Sequence, residues 1–426
     1  MTDARNLPSR DLSEKRLKQR HAAEARFKLY GQLAIVIALG FLVVLLARVV
    51  QQGYTVFWTH SITTSVYLDP ARIDRADLEG NNFDYLAAQN LLKRLKVQDD
   101  ALGLASGEAM DLVSRDLGYR ILGAIKDDPK VIGTTLTFTV PVKANADLYY
   151  KGEIERSTPE TDRKLSNRQL DWLDRLEAEG LVRSHFNSDF FTNSDSTEPE
   201  QAGVLGAVVG SALMLLVAAF IAVPVGVLAA VWLEEFAPRG RLSGFIEVNI
   251  NNLAAVPSIV YGLLGLVLFI NWLGFPRSAP LTGGLVLALM SLPTIIIATR
   301  AALKAVPPSI REAALGMGAS RTQTVFHHVL PQAAPGVMTG IILSLAHALG
   351  ETAPLLMIGM VAFTPGLPES LASAASVLPV QVFIWENAAE AAFHERTAGA
   401  IIVLLVFMIL MNATAVILRR RFEKRW

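Results

Sequence analysis

The sequence contains no cysteine, which excludes disulfide bonds and thiol chemistry for this chain. It also lacks the glycine-rich motif G-x-x-x-x-G-K-[ST], so the chain cannot hold nucleotide phosphates in the usual P-loop manner. Charge is scarce as well: Lys, Arg, Asp and Glu make up 18% of the 426 residues, and the formal net charge is zero. Hydrophobic residues, in contrast, make up 52%, and we expect a membrane protein with no nucleic-acid partner.

The few charges are unevenly distributed. Residues 51–202 carry about 25 acidic and 17 basic residues, so the rest of the chain is net basic by about 8. An acidic soluble segment within a basic, apolar chain is typical of a membrane protein with one large external domain. We therefore predict a soluble insert over residues 51–202.

Six apolar segments are long enough to cross a bilayer, which needs about 20 residues. They cover residues 31–50, 203–232, 251–272, 281–299, 335–362 and 400–418. The fifth contains Glu351 and Pro354, which predict a polar and broken middle. A signal peptide is the alternative for the first. Its basic leader is long and no small-x-small cleavage site follows Arg48, so we interpret it as a retained anchor.

The basic residues predict the orientation. About nineteen Lys and Arg residues lie in the N-terminal tail, the loop at 233–249, the loop after residue 299 and the C-terminal end. The loops at 273–280 and 363–399 hold only Arg277 and Arg396. Because cytoplasmic loops of membrane proteins carry an excess of Lys and Arg, we expect both termini in the cytoplasm. The insert then lies on the far side of the membrane, in a multi-pass protein.

The insert contains both strand and helix patterns. Residues 134–142 are rich in β-branched residues and alternate in polarity, which predicts a strand. Residues 166–179 predict an amphipathic helix that Ser166 and Gln169 cap and Gly180 ends. The insert sequence shows no cluster of metal ligands and no nucleophile with a neighbouring base. We predict a small α+β domain for docking, spacing or regulation, without catalytic residues, metal site or cofactor.

The stretch SIREAALGMGASRTQTVFHHVLP lies between two apolar segments. Ser309 and Glu312 have the spacing of a capping box, and Ser320 and Gln323 repeat it. Gly318 lies between the two pairs, where the end of a helix favours a residue that tolerates a positive φ. The pattern predicts two short helices with a sharp turn at Gly318.

One face of the first short helix is suited to close contact with a partner. Ile310, Ala314 and Met317 share that face, and Ala313 beside them is small. On these residues alone, an ordinary amphipathic surface loop is the alternative.

The same stretch resembles the EAA loop of ABC importer permeases. The matching residues, at that family's spacing, are Glu312, Ala313, Ala314, Gly318, Leu330 and Pro331. His328 stands where the family often has Ile, which we interpret as a tolerated contact change. The resemblance implies a cytoplasmic coupling helix that docks on a separate ATPase subunit. Its implied coupling residues are Arg311, Glu312, Ala313, Ala314, Met317 and Gly318.

Three ionisable residues lie in or beside the apolar segments, namely Arg300, His347 and Glu351. Charges at membrane depth are costly and usually line a pathway or pair with each other. His347 and Glu351 are four residues apart, so they share a helical face with Ser344. Arg300 is predicted near the cytoplasmic end of its span, where snorkelling to the interface is the simpler interpretation. For Glu351 we favour a pathway or gating role over a structural pair with His347.

The segment GETAPLL at residues 350–356 resembles phosphate ABC importer permeases of the PstA type. Residues 378–381 resemble the last external loop of that subfamily, and residues 203–426 match it throughout in order and spacing. Residues 51–202 are an insertion that shorter members lack. His347 stands where members commonly have Arg, which weakens the expectation of a fixed cationic phosphate contact and leaves a titratable one as the alternative.

The resemblance implies an all-α membrane protein with the type I ABC importer permease fold, six transmembrane helices and a soluble α+β periplasmic insert. The expected division is a cytoplasmic basic tail at 1–30, a first transmembrane helix at 31–50, the insert at 51–202 and the permease domain at 203–426. The coupling loop is expected at 305–335. The implied translocation path includes Arg300, His347, Glu351 and Thr352.

The implied function is that of a permease subunit in an ATP-driven phosphate importer, and not of an enzyme. The implied partners are a second homologous permease, an ABC ATPase dimer, a periplasmic phosphate-binding protein, inorganic phosphate and membrane lipid. A permease for molybdate, sulfate or phosphonate is the alternative within the same class. A membrane-anchored sensor that receives its signal at residues 51–202 is an alternative from another class. It would need only one span, so it does not explain six spans and an EAA loop. A secondary transporter would show an internal repeat of its spans, and none is apparent.

Overall fold

The computed structural model describes residues 14–97, 103–238 and 240–422. The chain divides into two units, residues 1–52 and 53–426. The first unit contains all but the last residue of helix α1 (Glu14–Gly53), which continues from the basic tail into the apolar segment without a break. The predicted tail is therefore helical from Glu14 onward, and its residues 1–13 lie outside the described residues.

The insert is built around a three-stranded antiparallel sheet. Its strands are β1 (Trp58–Tyr67), β2 (Thr135–Pro141) and β3 (Val182–Phe186), in the order β2-β1-β3. Ile62 at the middle of β1 pairs with Val140 on one side and Val182 on the other. The strand predicted at 134–142 is confirmed as β2. Its β-branched residues favour a strand because their side chains pack well on a pleated sheet.

Helices cover this sheet and complete the core of the insert. They are α2 (Phe83–Leu95), α3 (Leu104–Met110), α4 (Asp116–Asp127), α5 (Ala144–Tyr150), α6 (Asn167–Ala178) and α7 (Asp189–Thr192). Helix α6 begins with the predicted capping box of Ser166 and Gln169, and Gly180 follows its end with a φ of +71°. Leu91, Ile121 and Leu173 are buried in one apolar cluster with the sheet. The α+β prediction for the insert is thus confirmed.

The remainder of the second unit is helical. Its helices are α8 (Leu205–Val231), α9 (Arg241–Ala254), α10 (Ser258–Gly265), α11 (Pro280–Lys304), α12 (Pro308–Gly316), α13 (Arg321–Gln323), α14 (Leu330–Gly350), α15 (Ala353–Met357), α16 (Leu378–Glu386) and α17 (Ala392–Phe422). Within the described residues of the whole chain, five helices are long and apolar enough to cross a membrane, and a bent pair makes a sixth. This agrees with the predicted fold of six transmembrane helices.

The bent pair corrects the span predicted at residues 251–272. Helices α9 and α10 meet there at an angle of 102°, so the segment is not one straight span. Pro257 stands at the bend, and proline cannot donate a helical hydrogen bond and restricts the residue before it. Helix α9 begins at Arg241, inside the segment predicted as a loop. The straight apolar part after the bend is therefore shorter than predicted, Ser258–Trp272.

The predicted break in the fifth span is confirmed. Helix α14 ends at Gly350, and Glu351 has an extended backbone. Helix α15 then begins at Ala353, with Pro354 in its first turn, where the missing N–H has no helical partner to lose. The break places Glu351 and Thr352 between two helix ends.

Small residues bring the central helices together. A Cβ atom on Gly284 of α11 would lie 2.6 Å from the Cβ of Val217 on α8, and one on Gly340 of α14 would overlap the side chain of Ala298 on α11. Close backbone approach through small residues is the usual packing of membrane helices. Helix α11 therefore lies tightly between α8 and α14.

Buried charges fasten the insert to the first turn of α17. Lys151 Nζ lies 2.7 Å from Asp147 Oδ2 and 2.8 Å from Glu395 Oε1, and the three side chains are at most 10% exposed. His60 Nδ1 lies 2.9 Å from Asp147 Oδ1. We call these four residues the insert latch. Burial raises the pKa of the Asp147 carboxyl, but the His60 and Lys151 contacts outweigh it, so that pKa lies below its ordinary value of 3.8.

Arg396 reinforces the same junction. Its guanidinium is buried and donates to the carbonyl oxygens of Ala202 at 3.3 Å and Glu200 at 3.4 Å. It also lies 5.7 Å from the centre of the Phe190 ring. Carbonyl dipoles and an aromatic face both stabilise a cation, so this contact adds to the latch.

Candidate functional site

Helix α12 opens the coupling loop, and it begins earlier than the sequence suggests. Pro307 is its N-cap and Pro308 its first helical residue, so Ser309 lies within the first turn and caps nothing. The predicted capping box of Ser309 and Glu312 is therefore wrong. Proline is favoured at the first helical position for two reasons. Its fixed φ already suits a helix, and the N–H that it lacks would have no helical acceptor at this position.

The second half of the loop agrees with the prediction. Gly318 has a φ of +89°, and the capping box of Ser320 and Gln323 opens the short helix α13. A π-helix, Thr324–Val329, then leads directly into α14. The loop thus consists of two short helices with a turn at Gly318.

The predicted contact face of α12 is divided between the inside and the surface of the chain. Ala314 is only 2% exposed, and Ile310 packs against an apolar cluster that includes Val306 and Val325. Met317, in contrast, is 80% exposed, and Leu315 is also exposed. The prediction that Ile310, Ala314 and Met317 form one docking face is therefore wrong, because α12 uses Ala314 to pack on its own chain.

The surface of α12 is formed by other residues of the predicted set. Glu312, Ala313 and Gly318 are exposed, together with Leu315 and Met317. This surface holds one charge and two large apolar side chains, so it can bind an apolar cleft with a polar edge.

Arg311 turns inward and does not belong to that surface. Its Nη2 lies 2.6 Å from Glu235 Oε1, and its Nε lies 3.2 Å from Glu235 Oε2. The same guanidinium donates to the carbonyl oxygens of Val306 at 2.8 Å and Leu303 at 2.9 Å. We call this set of contacts the Arg311 clamp. It holds α12 against the last turn of α11 and the segment that follows α8.

A second ionic group lies beside the clamp. Arg300 Nε lies 3.3 Å from Glu234 Oε2, and Arg300 Nη1 lies 3.2 Å from Glu247 Oε1. Lys304 Nζ lies 3.7 Å from the same oxygen of Glu234. We call these residues the Arg300 cluster. The charge of Arg300 is thus met by two carboxylates, and the cluster ties α9 and α11 to the end of α8.

The sequence did not single out the three glutamates of these contacts. Glu234 and Glu235 lie in a π-helix, Trp232–Phe236, that continues α8. Although adjacent in sequence, they face different partners, Arg300 and Arg311 respectively. Two acidic residues at the end of an apolar span, among predicted cytoplasmic cations, are a signal that could have found them. No pattern in the sequence singles out Glu247. It lies in the segment predicted as a loop at 233–249, where a charged residue is ordinary.

His347 and Glu351 are brought together as predicted, with His347 Nε2 3.3 Å from Glu351 Oε1. His347 is exposed and Glu351 is half-buried. Ser344 does not join their face: it is buried and donates to the carbonyl oxygen of Ser291 on α11. Thr352 is half-buried directly after Glu351. Arg300 is paired elsewhere, so the four residues of the predicted path do not form one cluster in this conformation.

Across the described ranges, no group of three or more His, Cys, Asp or Glu side chains has an arrangement that could hold a metal ion.

Two family models match the chain. Residues 222–426 match the family described as "Binding-protein-dependent transport system inner membrane component". Residues 14–160 match the family described as "Domain of unknown function (DUF3333)". The first match contains the coupling loop and the His347–Glu351 pair, and the second contains α1 and much of the insert.

Individual relatives are more specific. The "Phosphate transport system permease protein PstA 1" of Mycobacterium tuberculosis (strain CDC 1551 / Oshkosh) is 36% identical over 223 residues, which are 52% of this chain and 72% of the relative. The chain belongs to the family of PstA-type ABC importer permeases. The "Phosphate transport system permease protein PstA" of Xylella fastidiosa (strain Temecula1 / ATCC 700964) is 32% identical over 237 residues, 55% of this chain and 81% of the relative.

Membership determines several general properties of this PstA-type chain. It is a multi-pass protein of the inner membrane and a permease subunit of an ABC importer, so ATP hydrolysis belongs to a separate subunit. Among solved structures, the MetNI methionine ABC transporter in inward facing conformations is 18% identical. That comparison has a TM-score of 0.44 and covers 52% of this chain and 96% of that chain.

Proposed function

We propose that this chain is the membrane permease subunit of an ATP-driven importer of inorganic phosphate. The observation that carries the proposal is the likeness to phosphate transport permeases at 36% and 32% identity over about half of the chain. The GETAPLL segment lies at the broken span beside the His347–Glu351 pair, which supports it further. The alternative within the class is a permease for molybdate, sulfate or phosphonate, and a membrane-anchored sensor is less well supported.

The complete transporter would contain an ATPase and a substrate-binding protein, the partners of this class of importer. We further propose a second homologous permease and a lipid-facing surface on α17, whose apolar run is exposed. The distribution of basic residues supports a cytoplasmic position for the termini and the coupling loop, and a periplasmic position for the insert. A compartment-specific reporter inserted at the exposed Glu155 should be active outside the cytoplasm, and one at Arg321 should be silent.

We propose that the exposed surface of α12 docks on the ATPase. Glu312, Ala313 and Met317 would make the contact, and the turn at Gly318 would set its shape. Ala314 would act indirectly by holding α12 on the permease. Met317→Asp should abolish ATPase binding while the chain still inserts and folds, because this side chain packs against nothing that Asp would disturb.

The Arg311 clamp would transmit movement from α12 to the membrane helices. A guanidinium with a carboxylate and two carbonyl partners forms a more rigid link than one flexible ion pair. Because the clamp joins α12 to α11 and to the end of α8, a displacement of α12 would displace both helices. We therefore infer that Arg311 is a positioning residue for coupling and does not touch the ATPase.

We propose that His347, Glu351 and Thr352 line the path, with Arg300 at its cytoplasmic end as part of a movable ionic cluster. A bare carboxylate would repel phosphate, so the role inferred for Glu351 is to hold or exchange a cationic neighbour. Glu351→Gln keeps the size of the side chain and removes the charge. It should leave assembly near normal and abolish most uptake. Full uptake in this variant would remove Glu351 from the path.

The function itself is tested by uptake. The chain is expressed together with the ATPase, the binding protein and the second permease of its transporter, in a bacterial strain from which the host's phosphate importers have been removed. Labelled phosphate inside the cells is then measured. Uptake should require ATP and should be inhibited by excess unlabelled phosphate, but not by molybdate or sulfate. Inhibition by one of those anions would favour the alternative substrate. Purification of the complex should recover an ATPase, and its absence would contradict the importer assignment.

A further inference from the structure

A continuous row of aromatic rings runs along the end of the insert sheet. The rings of Phe57 and Phe191 stack with centres 5.6 Å apart, and those of Phe191 and Phe186 stack at 5.8 Å. Trp58 meets Phe186 edge-on at 6.1 Å, and Phe190 meets Phe57 edge-on at 6.1 Å. We call these five residues the aromatic row. Its members belong to β1, β3, α7 and the short helical turn before β1.

The chain itself determines which end of the sheet carries this row. The helical segment that contains the apolar run of residues 31–50 extends to Phe57, and β1 begins at the next residue, Trp58. Phe186 is the cross-strand partner of Trp58 at the same end of the sheet. The sheet therefore begins a few residues after the apolar run in sequence, and the aromatic row lies at that end of the sheet.

Contacts with α17 determine the depth of the row. A Cβ atom on Gly399 of α17 would overlap Val56 and lie 3.1 Å from the Phe190 ring, so these side chains touch the α17 backbone. Gly399 directly precedes the apolar run of residues 400–418, and the buried Arg396 one turn earlier lies over Phe190. The row is thus level with the point where α17 changes from charged to apolar. The insert latch keeps it there.

Much of the row is uncovered by the chain. Trp58 is 52% exposed and Phe186 is 53% exposed, and Phe191 between Phe186 and Phe57 is also exposed. Exposed polar side chains such as His185 and Ser188 lie beside the row in sequence. Contiguous aromatic surface is unfavourable in water, and a polar rim is unfavourable in hydrocarbon. Aromatic rings with polar neighbours instead favour the headgroup region of a bilayer, where Trp and Tyr are enriched.

We propose that the aromatic row is a membrane contact, which inserts into the lipid headgroup region on the insert side and holds the insert sheet down on the bilayer. A second permease subunit and bulk water are the other occupants that would leave these residues exposed in a single chain. The bilayer is favoured because the row follows the apolar run of residues 31–50 within a few residues in sequence, and because it lies level with the start of the apolar run of α17.

The absence of natural cysteine makes a direct test straightforward. Single-cysteine variants Phe186→Cys and Tyr119→Cys carry a spin label in the full chain, reconstituted in lipid nanodiscs. Tyr119 is the matched control, since it is a 71% exposed aromatic residue on α4 of the same insert. The accessibility of each label to oxygen, which concentrates in lipid, and to a water-soluble nickel chelate is then compared.

The label at position 186 should show a several-fold higher ratio of oxygen to nickel accessibility than the label at position 119. Equal ratios would place the row in water and overturn the proposal. Low accessibility to both reagents at position 186 would show a protein contact, and would overturn it in favour of a second subunit.

A second measurement avoids any change at Phe186. Tryptophan fluorescence of the full chain is quenched by lipids brominated near the headgroup, and the same is done with Trp58→Phe, which keeps an aromatic ring. The wild-type chain should lose more fluorescence than the variant, by the share of Trp58 among the six tryptophans. An identical absolute loss of fluorescence in the two proteins would show that Trp58 is away from lipid and would overturn the proposal.

Discussion

The two soluble parts of this permease are attached to its membrane helices by different kinds of charge contact. At the insert, Lys151, Asp147 and Glu395 are nearly inaccessible, and Arg396 beside them is fully enclosed. At the coupling loop, Arg311 and Arg300 are also paired, but Glu247 and Lys304 in the same group are about half exposed.

The difference in burial predicts a difference in mobility. A buried ion pair cannot be separated without leaving a charge uncompensated in a site that excludes water, so the insert latch suits a fixed joint. Exposed pairs lose little when they separate, because water replaces the partner. Glu247 and Lys304, at the exposed edge of the Arg300 cluster, can therefore exchange partners while the transporter cycles. We infer that the insert moves with α17 as one body, whereas the coupling loop transmits movement.

The largest effect is expected at the insert latch. Lys151→Met removes the ammonium that Asp147 and Glu395 share in a buried site, and should lower the free energy of unfolding of the insert by about 3–5 kcal/mol. Thermal unfolding and limited proteolysis of the purified chain would measure it. Lys143→Met is the matched control, since Lys143 pairs with the exposed Asp111 at 3.3 Å and should contribute less than about 1 kcal/mol. Equal losses in the two variants would remove the distinction between the junctions.

The second-largest effect is expected when the Arg311 clamp is removed. It concerns the coupling of ATP hydrolysis to transport more than the stability of the fold. Arg311→Gln should lower uptake by about tenfold, which corresponds to roughly 1.4 kcal/mol of coupling free energy. The ATPase should still bind and hydrolyse ATP, because the surface of α12 is unchanged. Arg321→Gln, at an exposed arginine of the same loop, should keep normal uptake. If Arg311→Gln lost ATPase binding instead, the guanidinium would be a docking residue and the clamp merely structural.

The pH dependence of stability should further distinguish the insert latch from the ionic contacts at the coupling loop. Asp147 has a pKa below 3.8 in the folded chain, so its contacts stabilise the insert fully above that pH, and the contribution is lost as the pH falls through the lowered value. Unfolding of the insert followed from pH 7 to pH 2 should show this loss. In Asp147→Asn the insert should be less stable at pH 7 but should lose less on acidification. If the stability of the wild-type chain and of Asp147→Asn declined in parallel, carboxyl groups other than that of Asp147 would dominate the pH dependence.

The smallest effect is expected at the edge of the Arg300 cluster. Lys304 is half exposed and lies 3.7 Å from Glu234, so Lys304→Met should change the free energy of unfolding by less than about 1 kcal/mol. In 1 M salt, where the screening length is about 3 Å, the difference should vanish. Uptake should stay within twofold of wild type. A loss as large as that of Arg311→Gln would mean that the exposed pairs are as rigid as the clamp.

Features that depend on neighbouring residues were predictable from the sequence. The strand β2, the helix α6 with its cap, the turn at Gly318 and the break after Gly350 all follow from interactions within a few residues. The capping box expected at Ser309 failed because two prolines compete for the same helix start, and their fixed φ outweighs one side-chain hydrogen bond.

Features that depend on distant segments were not predictable. The start of α9 was missed because polar residues interrupt its apolar ones, so the segment does not form one apolar run. Contacts with α11 and the pair of Glu247 with Arg300 hold it in place. The inward position of Ala314 was missed because helical periodicity gives two residues the same face without showing what that face meets. The glutamate partners of Arg300 and Arg311 are more than fifty residues away from them in sequence.

The sequence by itself determined that the chain crosses a membrane repeatedly, carries one acidic soluble insert and presents a coupling loop of the importer type, because hydrophobicity, charge and short motifs are local properties. Only the tertiary structure decided which charges are joined. It paired Lys151 with Glu395 across 244 residues, and Arg311 with Glu235 across 76. The physical reason is that a charge in a poorly hydrated site needs a partner, and folding determines which partner is within reach.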